Sequence, residues 1–207
     1  MIAPSSCIPH LSHVNDVLGD GNCGFRAAAV SLGRSSDDWA QVRQEMVMEM
    51  DSNPIFKNTK FMVNVWGDSF EHSRKLLNHL SGPASVPFWI RFPSHGYLMA
   101  ETYKRPVVLL SDKFPSTYLP LTSAPNSDSQ NSPICLLLLE PIRHLVSFRF
   151  KSYCWPAPKI DPFWKEYASK DAKAWRVIIQ PNLDLGQEVL FPPTRKSARL
   201  NKVFDVE

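Results

Sequence analysis

The chain has 207 residues, with 23 basic against 20 acidic side chains, a net charge of +3, and 43% hydrophobic and 11% aromatic content. That is enough to bury one core in a domain of ordinary size, and too evenly charged for a nucleic-acid binder with a basic face. The longest apolar run, Ile134 to Leu139, is far too short to span a bilayer. The start, MIAPSSCIPHLSHVND, lacks the basic residues and apolar stretch of a secretory signal, so an intracellular protein, cytoplasmic or nuclear, is expected.

In chain order, residues 1–15 read as a loose N-terminal arm. Val17 and Leu18 lead into a Gly19-Asp20-Gly21-Asn22-Cys23 turn, followed by a short buried helix over Ala27–Leu32 that ends at Gly33. Ser36 and two aspartates cap a second helix, whose Trp39, Val42, Met46 and Met50 recur on one face. Asp51-Ser52-Asn53-Pro54 stops it. A third helix is expected with Phe70, Leu76, Leu77 and Leu80 inward, and a fourth over Tyr97–Tyr103. Val107–Leu110 and Ile134–Leu139 are all-apolar and read as buried strands, separated by a long polar loop over 112–133. His144–Phe150 alternates like a third strand. Two helices, in PFWKEYA and SKDAKAWRVII, close a domain spanning 16–180, and 181–207 reads as a polar, basic, solvated tail. Helices ahead of a cluster of strands predict an α+β class.

The four cysteines, Cys7, Cys23, Cys135 and Cys154, form no CxxC pair. Neither a zinc site nor a disulfide framework is expected, and nothing calls for a cofactor. Cys23 stands apart because it follows a tight turn and opens a helix. Free amides and the helix dipole at such a place stabilise a thiolate, and a depressed pKa is expected. Gly21 and Asn22 tolerate unusual backbone angles. Their amides, with that of Cys23, are candidates for holding an oxyanion, to which the Asn22 side chain could add a donor. The plainer reading is a helix cap with Cys23 as a small buried hydrophobe.

The stretch GDGNCGFRA, followed by a helix containing Trp39 and VRQEM, resembles the ovarian-tumour (OTU) family of cysteine deubiquitinases. HGYLMAETYKRPVVLLS and ICLLLLEPIRHLVSFRF are similar, in order, to the family's helix and strand and to its final hairpin. The continuation YCWPAPKIDPFWKEY…AKAW is similar to extensions in fungal, plant and mobile-element-linked OTU-like proteins. The resemblance implies a papain-like OTU fold, with helices packed on a small central sheet. It also implies a nucleophile at Cys23, a base at His144 and a triad role for Asp20, whose alternative role is to hold the turn. Many family members carry a polar residue two positions after the histidine; this chain has Val146 there, and Leu145 where an aromatic is frequent. Of the other histidines, His10 and His13 lie in the arm, His72 and His79 share a helix face, and His95 is the reserve base.

The implied partners are ubiquitin or a ubiquitin-like modifier and ubiquitinated proteins, with the protein acting as a monomer away from membranes and nucleic acid. His95, Tyr97 and the 112–133 loop are candidate groove contacts. Two other readings remain open. One is an OTU-like module that binds ubiquitin without turnover. The other is an accessory domain of a mobile element, for which the basic Arg195, Lys196, Arg199 and Lys202 would serve as a nuclear or nucleic-acid signal.

Overall fold

The computed structural model describes residues 7–126, 132–152 and 154–190. Val107–Leu110 (β2) and Ile134–Leu139 (β4) are almost wholly apolar and buried, and they pair in parallel at the centre of a five-stranded sheet. His144–Phe150 (β5) returns antiparallel beside β4, and Leu11–Asn15 (β1) lies antiparallel outside β5. Ser116–Tyr118 (β3) flanks β2, giving the order β1-β5-β4-β2-β3. The expected α+β class is the observed one.

Cys23–Ser31 (α1) lies against β4 and β5. Three consecutive alanines, Ala27 to Ala29, are completely buried and let the helix close on the sheet. Trp39–Ser52 (α2) packs its Val42, Met46 and Met50 face toward α1 and toward Ser94–Tyr103 (α5). The stop at Asn53-Pro54 is where the sequence puts it, and Asn53 then caps the next turn. Between them, Thr59–Phe61 (α3) runs into a wider π-type turn over Met62–Trp66, and Phe70–Leu77 (α4) follows. Of the residues expected inward on α4, Leu77 is buried, but Leu80 lies past the helix end and is 39% exposed.

Three expectations need correction. Residues 11–15 are no loose arm: β1 pairs with β5 along its length, apart from a bulge between Leu11 and His13. The 112–133 connection is not structureless, because it contributes β3 and then the buried Leu119 and Leu121. Its backbone there is held by the fully buried Glu101, which accepts bonds from the N–H groups of Leu121 (2.6 Å) and Thr122 (2.9 Å) and from the hydroxyls of Thr122 and Ser123.

The third correction concerns the C-terminal helices, Phe163–Tyr167 (α6) and Ala174–Val189 (α7). The helix α7 passes through Pro181, where the sequence suggested a tail beginning. A proline removes one helical donor, but neighbouring packing sustains this helix. The Ala157 N–H donates to the Asn182 carbonyl (2.8 Å), and a Cβ at Gly186 would sit 1.8 Å from the Ala157 oxygen. The basic residues Arg195 to Lys202 lie outside the described residues. Among the described residues, no helix is long and apolar enough to cross a membrane.

Candidate active site

The Asp20–Asn22 turn is built around one glycine. Gly21 has φ +84°, and a Cβ there would fall 1.8 Å from the Ala84 carbonyl oxygen and 2.7 Å from Trp89 Nε1. Only glycine fits both the angle and the space. The reversal turns Asn22 inward, where it is 0% exposed, and starts α1 at Cys23.

Asp20 holds this turn. Its carboxylate accepts the Asn22 backbone N–H (3.0 Å) and pairs with Arg26 at 2.8 Å, and Arg26 also reaches Asp37 at 2.9 Å. Burial alone would raise the Asp20 carboxyl, but bonds from Arg26 and Asn22 outweigh it and hold the group below its ordinary value. No hydrogen bond joins Asp20 to His144, so of its two expected roles the geometry matches the holding of the turn.

Asn22 departs from expectation. Its N–H is spent on Asp20, its amide nitrogen on Asp20 and the Gly82 carbonyl (3.1 Å), and its side-chain oxygen on Arg43 (2.9 Å). None of its donors is left to face an oxyanion. The N–H groups that do reach the sulfur are those of Leu145, Gly24 and Cys23 itself.

Cys23 is half-buried at the floor of a cleft of about 550 Å³. One wall carries Trp89, Ile90 and Phe92, and the other Phe114, Arg143 and Leu145. Arg143, in the left-handed region at φ 51°, sets its guanidinium 5.4 Å from the Trp89 ring. Gly24 packs so closely that a Cβ would lie 2.3 Å from Ile90 Cγ2. The expected depression of the thiol pKa is reversed. Burial pushes the Cys23 thiol up, the three N–H groups counter it in part, and the nearby Asp20 charge adds to the rise. The resting sulfur is therefore a protonated thiol near neutral pH.

His144 opens β5 opposite Leu139, and the residue after it supplies the Leu145 N–H to the sulfur. The two residues thus lie at one end of the sheet, linked through the Leu145 N–H and without a direct hydrogen bond between the Cys23 and His144 side chains. His144 Nε2 bonds Asp16 Oδ1 at 2.8 Å, while Nδ1 faces Gly19 in the loop leading to Cys23. Asp16 also accepts the Val17 N–H. The bond to His144, then that to Val17, holds its carboxyl below the usual range. Sequence reasoning missed Asp16, because its position depends on β1 being a strand.

Val146, at the position where the family resemblance puts a polar residue, is 0% exposed and pairs with Leu137. An amide there would be buried on the face it shares with the apolar Phe148, opposite Leu137. Val146→Asn is expected to lower stability by about 1–3 kcal/mol and to leave activity no higher, as read from the urea midpoint and turnover of the same preparation.

The reserve base is out of reach. His95 is buried against Phe25 and Trp66, with Nδ1 bonded to the Arg91 N–H (2.8 Å). Burial, then the Arg91 and Arg43 charges, pull its pKa down to about 3. Tyr97 is also buried, donating to Asp161 at 2.5 Å, so neither serves as a groove contact. From the 112–133 loop, Lys113 and Phe114 do line the cleft. A larger hollow of about 900 Å³ lies between α6 and α7, lined in part by Lys159, Lys165, Lys173 and Arg176, with no cysteine or histidine.

Helices packed on a five-stranded sheet give this chain an OTU-like fold. The chain is similar to a solved structure, the viral OTU domain protease from Dera Ghazi Khan virus. The TM-score is 0.50 at 12% identity, covering 73% of this chain and 86% of that one. At that identity the likeness establishes the fold alone. No protein-family model matches the chain, and no curated protein does.

Proposed function

We propose that this protein is a cysteine-type deubiquitinase that hydrolyses the amide at the C-terminus of ubiquitin or a ubiquitin-like modifier. The observation that carries the reading is the Cys23 thiol in a cleft, touching the N–H beside a histidine that a carboxylate orients. The OTU-like fold supports the same chemistry.

In the proposed reaction, His144 Nδ1 takes the Cys23 proton as the sulfur attacks the C-terminal glycine carbonyl. A base positioned this way is needed because the resting sulfur is a thiol. The tetrahedral oxyanion is held by N–H groups at the head of α1. Its collapse breaks the C–N bond, and His144 returns the proton to the leaving lysine amine. Water, deprotonated by His144, then attacks the thioester, releasing the free carboxylate and restoring the thiol. The pinched cleft between Trp89 and Arg143 suits a side-chain-free glycine tail.

Ubiquitin carrying a C-terminal electrophile tests this. Covalent labelling is expected at Cys23 and is expected to vanish in Cys23→Ala, with an unchanged far-ultraviolet spectrum. Reversible binding without labelling would overturn the enzyme and instead identify a ubiquitin-binding module. Absence of both labelling and binding rejects it.

A further inference from the structure

Arg43 is the unusual residue of the core. It rises from α2, is 0% exposed, and among the described residues no carboxylate lies within ion-pair distance of it. A buried cation without a direct ion pair is costly, and the nearby Asp20 charge offsets only part of that cost. Burial lowers its pKa to about 10, so it stays charged at neutral pH.

Its bonds show what that charge is committed to. Nη2 donates to Asn22 Oδ1 (2.9 Å) and to the Phe88 carbonyl (2.8 Å), and Nη1 donates to the Leu77 carbonyl (3.3 Å). The guanidinium lies 3.8 Å from the Phe25 ring centroid, and Nε has no partner. One planar fork therefore joins the nucleophile's turn to the end of α4 and to the wall that continues into Trp89 and Ile90. Two further bonds seal the same seam, Ala84 N–H to the Asp20 carbonyl (2.8 Å) and Asn22 Nδ2 to the Gly82 carbonyl (3.1 Å).

We infer that Arg43 is a positioning residue for the Cys23 centre: through Asn22 it fixes the turn that sets the start of α1, where the Cys23 and Gly24 N–H groups meet the sulfur, and through Phe88 it fixes the facing cleft wall. The inference rests on the reading above for its consequence in turnover, but its effect on the thiol stands separately. Lysine cannot reproduce it, because a point charge on a flexible stem cannot span carbonyls on three segments.

Cys7 and Cys135 are buried and Cys154 is exposed, so the test uses a Cys154→Ser background. Alkylation of Cys23 by iodoacetamide is followed against pH in the parent, Arg43→Lys and Arg43→Met, each checked for folding by circular dichroism. N–H groups aimed at a sulfur favour its thiolate. Their loss is expected to move the alkylation midpoint up by about one pH unit, with lysine between parent and methionine. On a ubiquitin C-terminal coumarin amide, kcat is expected to fall about 100-fold in Arg43→Met, with KM within about threefold.

A folded Arg43→Lys with the parent's midpoint and kcat would overturn the inference and leave Arg43 as core filling. Should Arg43→Met not fold, Arg43→Lys and Asn22→Ser decide the matter by the same two readouts. If the parent never reacts with the ubiquitin substrate, the deubiquitinase reading fails, and the alkylation midpoint still judges Arg43.

Discussion

Asp16→Asn is expected to lower kcat/KM by about 10²–10³-fold while leaving the melting temperature close to that of the parent. In triads whose carboxylate is buried, the same replacement costs about 10⁴-fold, because the histidine adopts the wrong tautomer. Here the Asp16 side chain is 64% exposed and the His144 side chain 14%, so water offsets part of the loss. The carboxylate accepts from Nε2 and so leaves the Nδ1 lone pair facing the cysteine loop. An amide can present its NH2 instead and reverse the arrangement. The decisive comparison is a double-mutant cycle. If Asp16 acts through His144, adding Asp16→Asn to His144→Ala costs little more than His144→Ala alone. A fall of less than about threefold for the single variant would show that the 2.8 Å contact is a surface ion pair of the usual small worth.

Glu101→Ala carries the largest expected cost in stability, about 3–5 kcal/mol, the range seen when one side of a buried charged network is removed. For a protein of this size that is a fall in melting temperature on the order of 10 °C. The variant strands the N–H groups of Leu121 and Thr122 and the hydroxyls of Thr122 and Ser123. It also removes a partner of Lys104 at 3.1 Å. Burial alone would raise the Glu101 carboxyl, but the bonds from Ser123 and Thr122, with the Lys104 charge, outweigh it and hold the group below its ordinary value. Its contribution is therefore fully present above the unfolded-chain value of about 4.3 and fades as pH falls through the lower folded value. Urea midpoints taken between neutrality and acid should converge for parent and Glu101→Gln as pH drops. Parallel curves would contradict the assignment.

Much of the scaffold is legible in the chain because its signals are local. The all-apolar Val107–Leu110 and Ile134–Leu139 can only be interior strands, and the helical spacing of Val42, Met46 and Met50 gives α2 its buried face. The GDGNC turn directs attention to Cys23 for similar reasons, since Gly21 needs its positive φ and the helix begins immediately after. What escapes is whatever depends on remote pairing. Leu11–Asn15 lacks an apolar alternation of its own and becomes a strand only because β5 offers an edge, so Asp16 is invisible until the sheet is assembled. Asn22 reads as a possible donor, and only the arrival of Arg43 and Gly82 shows that its donors and acceptor are used. Pro181 reads as a break because the contacts to Asn182 and Gly186 of α7 come from Ala157, far upstream in the chain.

The placement of Asp16 at the end of an outermost strand has a consequence for control. Among the described residues β1 is bonded to the sheet along one side, so its outer rim is open to another extended chain. On the proposed mechanism, a competitor that peeled it away would remove the carboxylate that holds His144, with the cleft still open and the sulfur untouched. Inhibitors selected for that rim would be blind to what fills the groove.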